Sequence, residues 1–299
     1  MPLGVVIVTY KDRVSLTLRV TRRILEYSPC ITCIVVNGYS KSSIQELRFQ
    51  LSGLNVKIVE FENNLGSASG YKEGISYIYK LCSTILLLDD DNLLSGTKKD
   101  MDNLLKLINL DKNIAYSIYR EDRPEIKKAY LENKPELIIG KPNSFLSFDL
   151  TSKLLHHLGL QMKKIESNNN KLPCAPYGGL LFHSDNILRV GLPFKEFFSY
   201  GDDYEWTYRF SISGIHIHHT EKLKIIDLEK SWHVSNDNIF QKLQKCDLER
   251  FELIVQNRKK FENIHRISNK LIYRLNKTIF IFLFFIFGGD IARIKILKK

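Results

Sequence analysis

Along the first hundred residues, short apolar runs alternate with stretches whose apolar residues recur at helical spacing. Leu3 to Thr9 is a run suited to a strand covered on both faces, and Ile31 to Val36, Val56 to Phe61 and Thr84 to Leu88 share that character. Between them, Ser15 to Tyr27 carries Leu16, Val20, Ile24 and Tyr27 near helical spacing; Ser42 to Leu51 and Ser67 to Leu81 also read as helices. Strand and helix in strict alternation predict an α/β fold, a Rossmann-like, mostly parallel sheet flanked by helices.

Ligands of such open sheets bind beyond the carboxyl ends of the strands. The segments to inspect are therefore Thr9-Tyr10-Lys11-Asp12-Arg13, Asn37-Gly38-Tyr39-Ser40, Asn63-Asn64-Leu65-Gly66 and Asp89-Asp90-Asp91-Asn92. Further on, Glu121 to Pro142 with its three prolines and Glu166 to Lys171 predict surface loops. Tyr177 to Phe182 is a glycine-containing apolar run, Asp185 to Val190 a short helix, Asp202 to Ser213 a longer one, and Ile215 to Asp227 a pair of strands. Asn238 to His265 has helical periodicity and high charge, and Ile279 to Phe287 is uninterruptedly apolar.

With 299 residues, 44% hydrophobic and 26% charged, the chain can bury a sizeable core and is no tail or linker. A net charge of +11 implies attraction to something acidic. Part of that excess belongs to the tail: from Arg266 to Lys299 the only acid is Asp290, against Arg266, Lys270, Arg274, Lys277, Arg293, Lys295, Lys298 and Lys299. Five scattered cysteines argue against a disulfide framework, and Cys30-Ile-Thr-Cys33, with no second such pair, reads as structural rather than zinc-binding or redox-active. Met1-Pro2 leads straight into an apolar run without the basic start and cleavage site of a signal peptide, the expected beginning of a cytoplasmic protein.

Three candidate chemistries stand out. Asp89-Asp90-Asp91 follows an apolar strand; adjacent carboxylates repel one another, and a divalent cation would offset the repulsion. Alternate residues of an extended segment project to one side, so Asp89 and Asp91 can share a site while Asp90 points elsewhere; the plain alternative is a solvated acidic turn. Asp202 and Asp203 begin a predicted helix, where an acid often serves as a cap, yet a carboxylate there can also accept a proton from a sugar hydroxyl. The small-residue loop Asn63 to Gly70 suits either approach to a diphosphate or close helix–strand packing. His216, His218 and His219 read as residues of a strand, with no carboxylate at ligand spacing.

Taken in order, these pieces resemble the family 2 glycosyltransferases with the GT-A fold. The resemblance rests on Val6 to Tyr10 with Arg13, Val35 to Gly38, Asn63 to Gly74, Leu87 to Asp91, Gly178 to Phe182, Gly201 to Trp206 and Trp232-His233, and covers Leu3 to about Asn236. It implies a GT-A domain over 1–236, with a nucleotide-binding half to about 110 and an acceptor-binding half beyond, and a helical extension over 237–299. The rhamnosyl- and galactofuranosyltransferase-like branch is the most similar.

By that resemblance Thr9, Tyr10, Arg13, Asn37, Asn64, Gly66 and Asp90 would hold the donor nucleotide, and Asp89, Asp91 and His233 would ligate Mn²⁺ or Mg²⁺. Asp203 would be the base, and Gly179, Asp202 and Trp206 would line the acceptor side. Relatives usually carry Asp where this chain has Asn37. The implied reaction is a metal-dependent, inverting transfer from a nucleotide diphosphate sugar, UDP-galactofuranose before dTDP-rhamnose, to a saccharide or lipid-linked acceptor. Such an enzyme would build bacterial surface polysaccharide, O-antigen or capsule.

The nine residues Ile279 to Phe287 are too few to cross a bilayer, which needs about 20. Flanked by bases, they can instead lie on an anionic membrane surface, placing the protein peripherally on the inner face; the alternative is packing on the protein itself. Rival functions are a nucleotidyltransferase, an aspartate-nucleophile phosphatase, whose acid would follow the first strand where Thr9-Tyr10 stands, and a basic nucleic-acid-binding protein. No nucleic-acid-binding motif accompanies the basic residues, so nucleic acid is not an expected partner.

Overall fold

A computed structural model describes residues 2–150, 170–229 and 239–299. The chain divides into two compact units, Met1–Glu132 with Asn170–Val234, and Asn133–Asn169 with Ser235–Lys299.

In the first unit the chain runs β1 (Leu3–Tyr10), α1 (Val14–Leu25), β2 (Ile31–Asn37), α2 (Lys41–Gln50), β3 (Val56–Phe61), α3 (Gly66–Ile78) and β4 (Thr84–Asp89). It continues with β5 (Asn92–Ser95), α4 (Lys98–Leu110), β6 (Ile114–Arg120), α5 (Pro124–Leu131), β7 (Leu180–His183), α6 (Asp202–Ile212) and β8 (His216–Asp227). The strands form one sheet in the order β3-β2-β1-β4-β7-β6-β8-β5. Strands β3, β2, β1 and β4 are mutually parallel, as β6 and β8 are, whereas β7 runs antiparallel to β4 and β6, and β5 to β8. The expected α/β class, a mostly parallel sheet with helices, is what the chain forms.

The two faces of β1 show why its residues alternate between partners although all are apolar. Leu3, Val5 and Ile7 join α1 and α4 in one core, with Leu18, Ile24, Met101, Leu104 and Ile108. Val6 and Val8 face α3, where Gly74 and Gly70 bring the helix backbone onto the strand; a Cβ on Gly70 would come within 2.7 Å of Val8. Those two glycines serve packing, while Gly66, at φ +81, makes the turn into α3.

Two expectations are corrected. Glu121 to Pro142 is not simply a surface loop: it contains α5 and a helical turn at Glu136–Ile139. Pro124 lies in the first turn of α5, where its missing N–H breaks no helical bond, and α5 buries Ile126 and Ala129. Nor does Ile215 to Asp227 form paired strands. Strand β8 is continuous, and the pairing with β6 jumps from Ile118↔Thr220 to Tyr119↔Lys224, so Glu221 to Leu223 are taken up as a bulge. Its last four residues also pair with β5. The loop expected over Glu166 to Lys171 falls largely outside the described residues.

The second unit holds α7 (Ile239–Lys245), α8 (Leu248–His265), α9 (Lys270–Ile286) and α10 (Ile291–Lys298). Side chains of Asp247, Asn269 and Asp290 cap α8, α9 and α10 by accepting from their first-turn amides. Their core gathers Phe145, Phe251, Val255, Tyr273, Phe280, Phe284 and Leu297. Most of the apolar run Ile279 to Phe287 therefore lies within α9, with Phe280 and Phe284 fully buried. Among the described residues no helix is long and apolar enough to cross a membrane.

Candidate active site

The carboxyl ends of β1 and β4 lie side by side, with Val8 paired to Asp89. Asp89 ends β4, and Asp90 and Asp91 form the tight turn that leads into β5 at Asn92, which separates the three aspartates. Asp90 turns inward and is 1% exposed; Thr9 Oγ1 donates to one of its oxygens at 2.6 Å and Arg13 Nη1 to the other at 2.8 Å. Burial pushes Asp90 up to about 7, against the pull of Thr9 and Arg13. The Asp89 and Asp91 side chains keep more exposure. Arg13 also reaches Asp91 at 3.3 Å and pairs with Glu229, while Tyr71, fully buried, donates to Asp89 at 2.8 Å. Tyr10 stays partly exposed at the end of β1, with the Arg13 guanidinium 5.4 Å from its ring centre.

Sheet order carries a second set of residues into this group. Arg120, the last residue of β6, grips Asp122 through two hydrogen bonds of 3.0 and 3.1 Å and donates to Asn92 Oδ1 at 3.0 Å. It lies 3.8 Å from Asp89 and 3.5 Å from Asp227, the last residue of β8. Burial works against the Arg120 charge, but Asp122, Asp89 and Asp227 together outweigh it and the pKa rises. Burial, then the nearby Asp91, push Asp227 up to about 7. Gly178 makes the assembly sterically feasible: a Cβ there would collide with Asn92 Oδ1 and Arg120 Nη1 and sit 2.8 Å from Asp89 Oδ2. Sequence reasoning did not single out Arg120, Asp122 or Asp227. The signal for Asp227 was the same one that exposed Asp89, an acid at the end of a strand; Arg120 carried none.

Asn37 ends β2 and is buried, with both halves of its amide engaged by the next loop. Its Nδ2 donates to Gly66 O at 2.9 Å, and its Oδ1 accepts from Leu65 N at 2.7 Å. Asn64 Oδ1 accepts from Gly66 N at 2.9 Å. A carboxylate at position 37 could accept from Leu65 but could not donate to Gly66, which gives a structural reason for Asn here. Gly66 in turn packs on the backbone of Phe198, and Ser67 donates to Asp202 at 2.8 Å.

Asp202 and Asp203 open α6 behind Gly201, which sits at φ +94. Asp202 is buried, and burial, then Asp203, raise its pKa well above the carboxylate range. Asp203 is pushed up to about 6 by burial, with Arg123 acting in the opposite sense and Asp89 and Arg120 also in electrostatic reach. It thus belongs to the same neighbourhood as the strand-end acids. Trp206, expected on the acceptor side, is a core residue instead: it has no exposure, packs on Phe182 and Phe210, and donates to Gly191 O at 3.0 Å. Four residues after the buried Asp202 and four before the buried Phe210, it lies on the inward face of α6. Gly179, at φ +93, is stitched into the sheet through Leu87 O and Ile118 N. His233 lies outside the described residues.

The partly exposed carboxylates of Asp89 and Asp91 have the hard donor chemistry of a Mg²⁺ or Mn²⁺ site that uses one or two carboxylates together with phosphate oxygens. Among the described residues, no three His, Cys, Asp or Glu side chains converge as a metal cage. His218 and His219 pack instead against Tyr116, Tyr119 and Tyr130. Cys33 is buried in β2, its thiol pushed up to about 12 by burial.

The family described as Glycosyl transferase family 2 matches residues 4–164. Among solved structures the chain is similar to the crystal structure of S. aureus TarS 1-349, with 11% identity and a TM-score of 0.51, covering 94% of this chain and 80% of that one. The same S. aureus protein in complex with UDP aligns with 11% identity and a TM-score of 0.49 over 89% of this chain and 73% of that one. A longer S. aureus TarS structure aligns at 10% identity and a TM-score of 0.49; 91% of this chain is covered, but it spans only 44% of that relative. The likeness to S. aureus TarS 1-349, with its TM-score of 0.51, speaks for the fold alone. No curated protein matches the sequence.

Proposed function

Because the chain belongs to glycosyl transferase family 2, we propose that it is an inverting transferase that moves a hexosyl group from a nucleotide diphosphate sugar to a saccharide or lipid-linked saccharide. UDP-galactofuranose is the favoured donor and dTDP-rhamnose the second. The setting is bacterial surface polysaccharide synthesis, O-antigen or capsule, at the inner face of the cell membrane. One observation beyond family membership supports this reading most: the strand-end acids Asp89 and Asp227 gather around Arg120 in the space that Gly178 leaves open.

In this mechanism Tyr10 and Arg13 hold the nucleoside end of the donor, with the fully buried Thr9 behind them, and the Asn64–Gly66 turn, fixed by Asn37, holds the donor beside α3. Asp90 keeps Thr9 and Arg13 in place. Asp89 and Asp91, with His233 as a further ligand, would hold Mn²⁺ or Mg²⁺, which would supply positive charge at the departing diphosphate. Asp203 accepts the proton of the acceptor hydroxyl while that oxygen bonds to the anomeric carbon. The bond from that carbon to the diphosphate oxygen breaks in the same displacement, and configuration inverts. A carboxyl raised to about 6 remains ionised at neutral pH and is a stronger base than an ordinary aspartate.

The test is a panel of nucleotide sugars, scored for release of nucleoside diphosphate with and without Mn²⁺ in the presence of saccharide acceptors. UDP release from UDP-galactofuranose is the expected result. Pyrophosphate release from a nucleoside triphosphate and a sugar phosphate would replace this reading with a nucleotidyltransferase. Salt-dependent DNA binding without turnover of any donor would replace it with a binding protein.

A further inference from the structure

Helix α9 is apolar on two opposite faces, and among the described residues only one of them is buried. Tyr273, Asn276, Phe280 and Phe284 face the core of the second unit. Leu271, Leu275, Phe282, Phe285 and Ile286 are each more than half exposed. At 3.6 residues per turn these five fall in a stripe roughly 100° wide, directly opposite the buried face. From Leu271 to Ile286 the stripe is about 22 Å long at a rise of about 1.5 Å per residue. Phe287 and Ile291, also more than half exposed, extend the apolar surface past the helix end. An apolar surface of this kind marks a place where something binds.

Charge identifies the occupant. Exposed Lys270, Arg274, Lys295 and Lys298 lie on α9 and α10, and Asp290, the only acid of the segment from Arg266 onward, is paired with Arg293. A second copy docked symmetrically on the stripe would bring these bases against their own counterparts. An anionic bilayer satisfies both halves of the surface, since its acyl boundary takes the rings and its headgroups take the bases. With 17 residues, among them Lys270, Arg274 and Lys277, α9 is too short and too charged to span the hydrocarbon, which needs about 20 apolar residues.

We propose that the outer face of α9, from Leu271 to Ile286 with Phe287 and Ile291, is a docking surface for an anionic lipid bilayer, on which the helix lies in the interfacial plane. This rests on the membrane setting proposed above. Vesicle binding is read without turnover, however, so failure here and failure of the transferase reading are told apart.

The experiment floats the full-length chain with vesicles of phosphatidylcholine, alone or mixed with phosphatidylglycerol. Binding to the mixed vesicles, weakened by salt, is expected. The triple variant Leu275→Gln, Phe282→Gln, Phe285→Gln leaves the buried face untouched and should bind at least about tenfold more weakly. Lys295→Gln with Lys298→Gln should lower the preference for phosphatidylglycerol. Circular dichroism melting verifies that the variants fold, and Phe282→Gln alone replaces the triple variant if that one does not. Undiminished binding by the folded variant, or no binding by the unaltered chain, overturns the proposal. So does a lipid-free dimer that the same substitutions convert to monomer, which would assign the stripe to a second copy.

Discussion

Asp203 and Asp202 are neighbours with different surroundings, and the difference decides which can act as a base. Asp202 is buried against Ser67 and held well above the carboxylate range, whereas Asp203, raised only to about 6, is ionised at neutral pH. Asp203→Asn should lower kcat by about a hundredfold or more with donor KM little changed; near-normal turnover in steady-state assays would reassign the base. A protonated carboxyl cannot accept a proton, so kcat/KM should be intact above pH 6 and fall about tenfold per unit below it. A limb near the ordinary aspartate value would show that burial does not hold in the working enzyme. Gly178→Ala places a methyl group among Asn92, Arg120 and Asp89; overpacking of this kind costs about 1–3 kcal/mol, readable by urea unfolding, with activity falling as the acids are displaced. These residue-scale roles were only partly open to sequence reasoning. The paired acids announced themselves by position after a strand and at a helix start, but nothing local showed that Trp206 turns into the core or that both halves of the Asn37 amide are engaged by the Leu65–Gly66 backbone.

Helices followed their periodicity where one face met the sheet, and strands covered on both faces read as continuous apolar runs. The seven elements expected between Leu3 and Leu88 all form for those two reasons. Strand β8 departed from expectation because it serves β6 along most of its length and β5 at its end, and the bulge between them looks in sequence like a turn. Prolines misled for a similar reason, since Pro124 breaks a helix when interior but begins one when placed in the first turn. Helix α9 invites a direct comparison of its two faces. Phe280→Ala empties a fully buried site and should cost about 3–5 kcal/mol. Phe285→Ala, on the outer face, should change stability by no more than about 0.5 kcal/mol in lipid-free solution. Equal losses in thermal or denaturant unfolding would mean that the outer face is covered by protein.

At the scale of the whole molecule the proposed metal dependence predicts that exhaustive chelation abolishes turnover and that Mn²⁺ restores it. Full activity of Asp91→Ala after chelation would remove the metal from the mechanism. The same acids illustrate where sequence information stops. By itself the sequence determined the α/β class and marked the carboxyl-end loops and the acids at 89–91 and 202–203 as the segments to inspect, because each depends on residues close together in the chain. Only the tertiary structure decided that Asp89, Arg120, Gly178 and Asp227 meet, since that depends on the order β4-β7-β6-β8 in the sheet. Local periodicity is set by neighbours a few residues away and is written into any short window. Which distant strand ends come together is settled by how whole elements share one core, and no window of the sequence contains it.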